Sequence, residues 1–127
     1  MRGPRLVKAL VGINVLVIDE DAETRELLEN VLVYSGAFVV LAATTSEALA
    51  LHRRRGADVL VAGLTSPDEA FRLGRELTKA AQPAPVVAIA GPEIDESVLR
   101  EHFAEYVRRP VDPRELCRVI AAMARKA

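Results

Sequence analysis

The sequence predicts a doubly wound α/β domain, in which a five-stranded parallel sheet lies between two layers of helices. Five short apolar runs alternate with five helix-like segments along the 127 residues. Runs such as 59–62 lack polar alternation, which is typical of parallel strands covered on both faces. Crossovers between parallel strands are right-handed, so helices must cover both faces of the sheet. The strand order 2-1-3-4-5, with its switch point between the first and third strands, fits this length.

The first strand and helix follow from an apolar run and its flanking residues. Residues 13–18 form a near-continuous apolar strand that stops at three consecutive acids. Asp21 is suited to cap a helix over 22–34, and Gly36 just beyond it is a typical stop. Four apolar residues are predicted to form the buried face of this helix: Leu27, Leu28, Val31 and Leu32.

The second strand and helix are predicted in the same way. Residues 38–42 are apolar and rich in β-branched or aromatic side chains. Thr44 and Glu47 have the spacing of a capping box, which predicts a helix that runs to about residue 55.

The third strand, at 59–62, is predicted to lie in the middle of the sheet, with Gly63 at its end. Pro67 is suited to the first turn of a helix, because proline at that position loses no hydrogen bond. A helix over 68–81 and a fourth strand over 86–90 follow.

The last third of the chain predicts a short helix over 94–101 and a fifth strand over 104–108. Asp112 and Pro113 then supply a cap and a first-turn proline for the final helix. The residues predicted to be buried on this helix are Leu116, Val119, Ile120 and Met123.

Composition excludes several classes of protein. Half of the residues are hydrophobic, and 17 basic against 18 acidic residues give a formal charge of −1. We therefore expect one domain with a proper core and no general attraction to nucleic acid or to a membrane surface. The single cysteine, Cys117, excludes an internal disulfide and fits a reducing compartment, so we expect a cytoplasmic location.

The N-terminal segment combines basic residues with an apolar stretch, as a signal peptide does. It runs into acidic residues instead of small ones, and Lys8 and Asn14 interrupt it, so a signal peptide is not predicted. We expect residues 1–11 to be a tail or linker and residues 12–127 to be the folded domain. No stretch approaches the roughly 20 apolar residues of a membrane span.

Four blocks of sequence resemble a known family. INVLVIDED, ADVLVAGLTSP, PVVAIAG and YVRRPVDPREL are similar, in order and spacing, to the blocks of response-regulator receiver (CheY-like) domains. The resemblance runs from about Gly12 to the C-terminus and implies the flavodoxin-like three-layer α/β/α fold. Two loops depart from it: the segment after Pro67 lacks a glycine-rich stretch, and the short spacing between Ala90 and Arg109 implies a trimmed fourth helix.

The resemblance also assigns functional positions. Receivers have an acidic pair after the first strand, a phosphoryl-accepting aspartate at the end of the third, a Thr or Ser at the end of the fourth and Lys-Pro after the fifth. Carried over by position, the acidic pair is Asp19 and Glu20, the acceptor position is Gly63, the hydroxyl position is Ala90 and the lysine position is Arg109.

Three of these five positions are changed, which removes the chemistry. Phosphoryl transfer to a carboxylate needs the carboxylate as nucleophile and Mg²⁺ beside it. Gly63 has no side chain, Ala90 cannot bond a phosphoryl group, and Arg109 is not equivalent to lysine. We therefore expect a pseudo-receiver: an atypical module of two-component (phosphorelay) signal transduction that is no enzyme and has no catalytic residue or cofactor. Asp19 and Glu20 would bind Mg²⁺ weakly at most, and we expect Arg109 to reach them and take the place of the metal.

Two other functions stay open. The protein is alternatively an active phosphoacceptor through Thr65, Ser66 or Asp68, with Mg²⁺ still held by the acidic pair. Hydroxyls directly before a helix are, however, ordinary N-caps. It is alternatively a small-ligand binder that uses the space which Gly63 and Ala90 leave open.

The resemblance further implies a working surface on the fourth helix, fifth strand and last helix. The residues there of kinds enriched in interfaces are Tyr106, Arg108, Arg114 and Arg118. We expect a signalling protein, or an attached kinase or output domain, as the partner, and a homodimer through the same surface.

Overall fold

The computed structural model describes residues 9–81 and 84–126 of the chain. Most of the predicted tail, residues 1–8, lies outside the described residues. The strands are β1 Asn14–Ile18, β2 Phe38–Ala42, β3 Val59–Gly63, β4 Val86–Ala90 and β5 Glu105–Arg108. The helices are α1 Ala22–Tyr34, α2 Thr45–Arg55, α3 Pro67–Ala80, α4 Glu96–His102 and α5 Pro113–Lys126.

The five strands form one parallel sheet in the order β2-β1-β3-β4-β5, which confirms the predicted flavodoxin-like fold. Ile18 pairs with Ala62 of β3, and Ala90 pairs with Arg108 of β5. Because the strands are parallel, their carboxyl ends lie along one edge of the sheet, where ligands of such folds usually bind.

Alternate side chains of the central strands point to opposite faces and form two cores. On one face, α2, α3 and α4 cover β-strand residues such as Leu60 and Ala62. On the other face, α1 and α5 cover residues such as Val59 and Val61. Since β3 and β4 are buried along their whole length, their lack of polar alternation reflects burial on both faces.

Side-chain caps begin four of the described helices, α1, α2, α3 and α5, and at the last of these Asp112 Oδ1 accepts from the Arg114 N–H at 2.9 Å. Asp21 accepts a hydrogen bond from the Thr24 N–H at 2.9 Å, and Thr44 accepts from the Glu47 N–H at 3.1 Å. The second half of the predicted capping box is shifted by one residue, because the Glu47 carboxylate accepts from the N–H of Ala43 at 2.7 Å. The bonds to Asp21 and Thr44 each satisfy an N–H that the first helical turn leaves free.

The predicted inner face of α1 is wrong at one position. Leu28 and Leu32 are buried, whereas Leu27 is 66% exposed. Leu28 and Leu32 lie on the helix face that packs against the sheet. Successive residues of a helix are rotated by about 100°, so the neighbouring Leu27 points away from that face. A hydrophobic pair at adjacent positions does not tell which of the two is buried.

Helix α4 is the shortest, with 7 residues against 11 to 14 in the others. It begins at Glu96, two residues later than predicted, although Ile94 just before it is fully buried. The Ile94 side chain therefore anchors the β4–α4 loop in the hydrophobic core.

Leu10, before β1, is also part of the core. It is fully buried beside residues of α1 and α5, and its N–H donates to the carbonyl of Ser35 at 2.9 Å. The turn ahead of β1 is thus fastened to the end of α1. Among the described helices, none combines the length and the apolar character that crossing a membrane requires.

Candidate functional site

The residues singled out by position converge at the carboxyl edge of the sheet. Asp19 follows β1, Gly63 ends β3, Ala90 ends β4 and Arg109 follows β5. Parallel pairing in the order above brings these strand ends together. The Ala90 side chain is fully buried there.

The space above Gly63 is filled by a neighbouring side chain. A Cβ atom added to Gly63 would overlap Asp19 Oδ2, would lie 2.9 Å from Asp19 Cγ and would lie 3.4 Å from Arg109 Nη2. A side chain at this position therefore requires Asp19 to move. The same overlap removes the space that the small-ligand alternative assigned to Gly63.

Asp19 is a buried carboxylate with one satisfied oxygen. Only 3% of the residue is exposed, and Oδ1 accepts a hydrogen bond from the Asp21 N–H at 2.9 Å. Oδ2 is buried and has no hydrogen-bond partner among the described residues. Burial raises the pKa of Asp19 above its ordinary value, although the Asp21 N–H and the charge of Arg109 oppose the rise.

Arg109 spans the ends of three strands. Its Nη2 lies 3.8 Å from Asp19 Oδ2, and its Nη1 donates to the carbonyl of Leu64 at 2.8 Å and that of Ile89 at 3.3 Å. The guanidinium thus reaches Asp19, as expected. Glu20 is exposed, and in the described part of the chain no ion pair joins it to Arg109.

These residues do not fit a Mg²⁺ site. Mg²⁺ needs several oxygen ligands in octahedral geometry, and residues 9–81 and 84–126 contain no group of three or more acidic, histidine or cysteine side chains that could hold a metal. Gly63 supplies no oxygen, and the free oxygen of Asp19 faces a guanidinium. Any metal binding through Asp19 would have to compete with Arg109.

The hydroxyls before α3 are engaged in capping. Ser66 Oγ accepts from the Glu69 N–H at 3.2 Å, while the N–H and the hydroxyl of Thr65 both donate to Glu69 Oε1, at 2.6 and 2.8 Å. Sequence reasoning missed Glu69, although Ser66 to Glu69 has the spacing of a capping box. Its charge also adds to the rise in the pKa of Asp19.

A second cluster lies on α4 and β5, around Tyr106. The Tyr106 hydroxyl donates to Glu96 Oε2 at 2.8 Å, and Arg100 Nε donates to the same oxygen at 2.7 Å. These two bonds, with the tyrosine bond first, lower the pKa of Glu96. The guanidinium groups of Arg100 and Arg108 both lie near the Tyr106 ring, with their central carbons 5.4 and 5.3 Å from the ring centroid.

Two of the four predicted interaction residues contact each other, and the other two lie apart from them on α5. Tyr106 and Arg108 are in contact, whereas Arg114 and Arg118 are exposed on α5. No side-chain hydrogen bond or ion pair among the described residues links those two arginines to the cluster. Sequence reasoning missed Glu96, which the Glu96–Arg100 spacing of four residues could have indicated.

Several solved structures with the same fold are described as receiver domains or response regulators. The response regulator receiver domain protein from Clostridium thermocellum matches with a TM-score of 0.78 at 23% identity, over 90% of this chain and 95% of that one. A putative response regulator from Chloroflexus aurantiacus J-10-fl matches with a TM-score of 0.76 at 22% identity, over 89% and 98%. The receiver domain of the sensor histidine kinase PA1611 from Pseudomonas aeruginosa PAO1, described with magnesium in its active site cleft, matches with a TM-score of 0.75 at 18% identity, over 90% and 98%. The chain therefore has the fold of CheY-like receivers.

Sequence similarity also identifies a relative of similar length. It is 36% identical over 121 residues to an uncharacterized 14.6 kDa protein from the sodA1 3' region of Leptolyngbya boryana, covering 90% of this chain and 92% of that protein. The chain belongs to the same family as this protein of Leptolyngbya boryana. No protein-family model matches it.

More distant relatives are longer. The chain is 29% identical over 115 residues to the probable transcriptional regulator ycf27 of Guillardia theta and 28% identical to that of Porphyridium aerugineum. Each match covers 88% of this chain, but only 45% of the first regulator and 48% of the second. The chain thus spans about half the length of these two regulators.

Proposed function

We propose that this protein is an atypical receiver module of two-component signalling, which acts by contact with other proteins and takes no phosphoryl group on an aspartate. One observation carries the proposal: the carboxylate of Asp19 occupies the place where an acceptor side chain at position 63 would begin. The fold supports a receiver module, and the position of the Asp19 carboxylate above Gly63 supports the loss of phosphoryl transfer.

Neighbouring residues support the same proposal. Ala90 has no hydroxyl to bond a phosphoryl group, and Arg109 is committed to two carbonyls and to Asp19. The Thr65 hydroxyl already donates to Glu69. A substitute acceptor would have to break this capping arrangement before it could react.

The proposed partner is a signalling protein, or a kinase or output domain attached to this one. The greater length of the ycf27 regulators supports the second form. We assign the contact to the surface of α4, β5 and α5, with Tyr106, Arg108, Arg114 and Arg118, and we propose a homodimer through the same surface. In this proposal the domain acts in the cytoplasm, contacts neither nucleic acid nor membrane, and binds Mg²⁺ weakly at most.

Incubation with acetyl phosphate and Mg²⁺, followed by intact mass measurement, tests the proposal. We expect no gain in mass, while a conventional receiver treated in parallel gains one phosphoryl group. A stoichiometric gain that maps to Thr65, Ser66 or Asp68 would favour the unconventional acceptor instead.

A further inference from the structure

The β4–α4 loop is held by the last residue of β5. Arg108 is half-buried, and its Nη1 donates to the carbonyl of Gly91 at 2.6 Å and to that of Ile94 at 2.8 Å. Gly91 follows β4 directly, and the Ile94 N–H donates to the same Gly91 carbonyl at 3.4 Å. One guanidinium nitrogen therefore ties both ends of this loop to the neighbouring strand.

The same guanidinium also fixes an aromatic ring. Its carbon lies 5.3 Å from the centroid of the Tyr106 ring, and that of Arg100 lies 5.4 Å from it. The Tyr106 hydroxyl is bonded to Glu96 at the start of α4. Moving this ring to another rotamer would break that hydrogen bond and both cation–π contacts.

The strength of this arrangement comes from Arg108 and not from the exposed charges. The Glu96–Arg100 pair is more than half exposed on both sides, and such pairs contribute little to stability. Charged hydrogen bonds from a half-buried guanidinium to two carbonyls are stronger. Lysine cannot reproduce them in full, because it lacks the planar fork.

We propose that Arg108 is a positioning residue that latches the β4–α4 loop and the Tyr106 ring in a single arrangement, so that the α4–β5 surface is displayed without a switching signal. The role of the displayed α4–β5 surface rests on the proposed function, because this is the surface that we assigned to partner contact. The latch itself is a property of the isolated protein. Fully buried Ala90, at the end of β4, has no polar side-chain group through which a signal could move the loop.

Amide hydrogen exchange of the 127-residue chain, without phosphodonor or partner, tests the latch. We expect Arg108→Ala to speed exchange of the amides of residues 93–96, including the Ile94 N–H, by roughly tenfold, because charged hydrogen bonds that close the loop are lost. Arg108→Lys should recover part of the protection. Arg54→Ala is the control, because it removes an exposed arginine of α2, outside the proposed contact surface, whose side chain makes no hydrogen bond among the described residues.

Two further readouts separate a latch from a general loss of stability. Amides of β1 and β3 should keep their exchange rates in Arg108→Ala, and the ring resonances of Tyr106 should shift while those of Tyr34 stay. Unchanged exchange in the loop, or an equal rise throughout the sheet, would overturn the proposal. Because no phosphodonor is used, this failure is distinct from a gain of phosphoryl mass, which would refute the proposed function and leave the latch intact.

Discussion

Adding one methyl group at Gly63 should be costly, and Asp19 should be the reason. The φ angle of Gly63 is outside the positive range, so Gly63→Ala meets no backbone strain. The added Cβ overlaps Asp19 Oδ2, and we expect the shift of the carboxylate to cost its bond to the Asp21 N–H, which is made by the other oxygen of the same group. Such a charge-assisted bond contributes about 1.5–3 kcal/mol.

The expected free energies follow from two opposing effects. Glycine to alanine at an unstrained position gains about 0.4–1 kcal/mol by restricting the unfolded chain. Gly63→Ala should therefore lower the free energy of unfolding by about 0.5–2.5 kcal/mol. In an Asp19→Ala background the overlap is absent, and the same change should stabilise the protein by about 0.4–1 kcal/mol.

A double-mutant cycle measured by urea unfolding, followed by far-ultraviolet circular dichroism, gives the coupling directly. The four proteins are the wild type, the two single variants and the double variant. We expect a coupling of about 1.5–3 kcal/mol between positions 19 and 63. A coupling near zero would show that the carboxylate leaves this space at no cost, and it would refute the argument for a blocked acceptor position.

Three other predictions concern the site and its surface. A triple variant that restores the usual receiver residues, with Gly63→Asp, Ala90→Thr and Arg109→Lys, should still be phosphorylated at least about a hundredfold more slowly than a conventional receiver. We expect this because Asp19 displaces the new carboxylate, and a misplacement of about 1 Å can lower a rate by that factor. A conventional rate in single-turnover assays would show that the three point changes alone had removed the activity. Burial raises the pKa of Asp19 in the folded state above its ordinary value, so the folded state holds this proton more tightly than the unfolded chain, and the contribution of Asp19 to stability should be lost as pH rises from the unfolded pKa to the folded pKa. Urea unfolding at pH 4 and pH 7 should therefore show that the wild type loses stability relative to Asp19→Asn as pH rises. Arg114→Glu should weaken self-association measured by analytical ultracentrifugation, and an unchanged association constant would remove this residue from the proposed surface.

The fold could be predicted from the sequence because local signals agreed with one another. Helix α1 and strands β2 and β4 have the predicted bounds, since a side-chain cap and an apolar run each mark an element independently of the rest of the chain. The exposed Leu27 shows the limit of this reasoning, because periodicity identifies a hydrophobic stripe only to within about one residue. The start of α4 shows another limit: buried Ile94 belongs to a loop, and burial does not require helix.

The site was less predictable than the fold. Position and residue type indicated that Gly63 lacks a nucleophile and that Arg109 lies near Asp19. They did not indicate that the Asp19 carboxylate fills the space above Gly63, because that depends on a side-chain rotamer held by the Asp21 N–H. The contacts of Arg108 with Gly91 and Ile94 span 17 and 14 residues, and no short-range pattern encodes them.

The fully buried position of Leu10 determines how far the protein can be shortened for biophysical work. A fragment that began at Gly12 would keep every strand and helix yet lose a side chain from the core between α1 and α5. Emptying the space of a buried leucine costs about 2–5 kcal/mol, a large part of the total stability of a domain this size. Fragments for crystallisation or domain fusion should therefore begin upstream of Leu10, and fusion partners are better joined ahead of that residue than directly at β1.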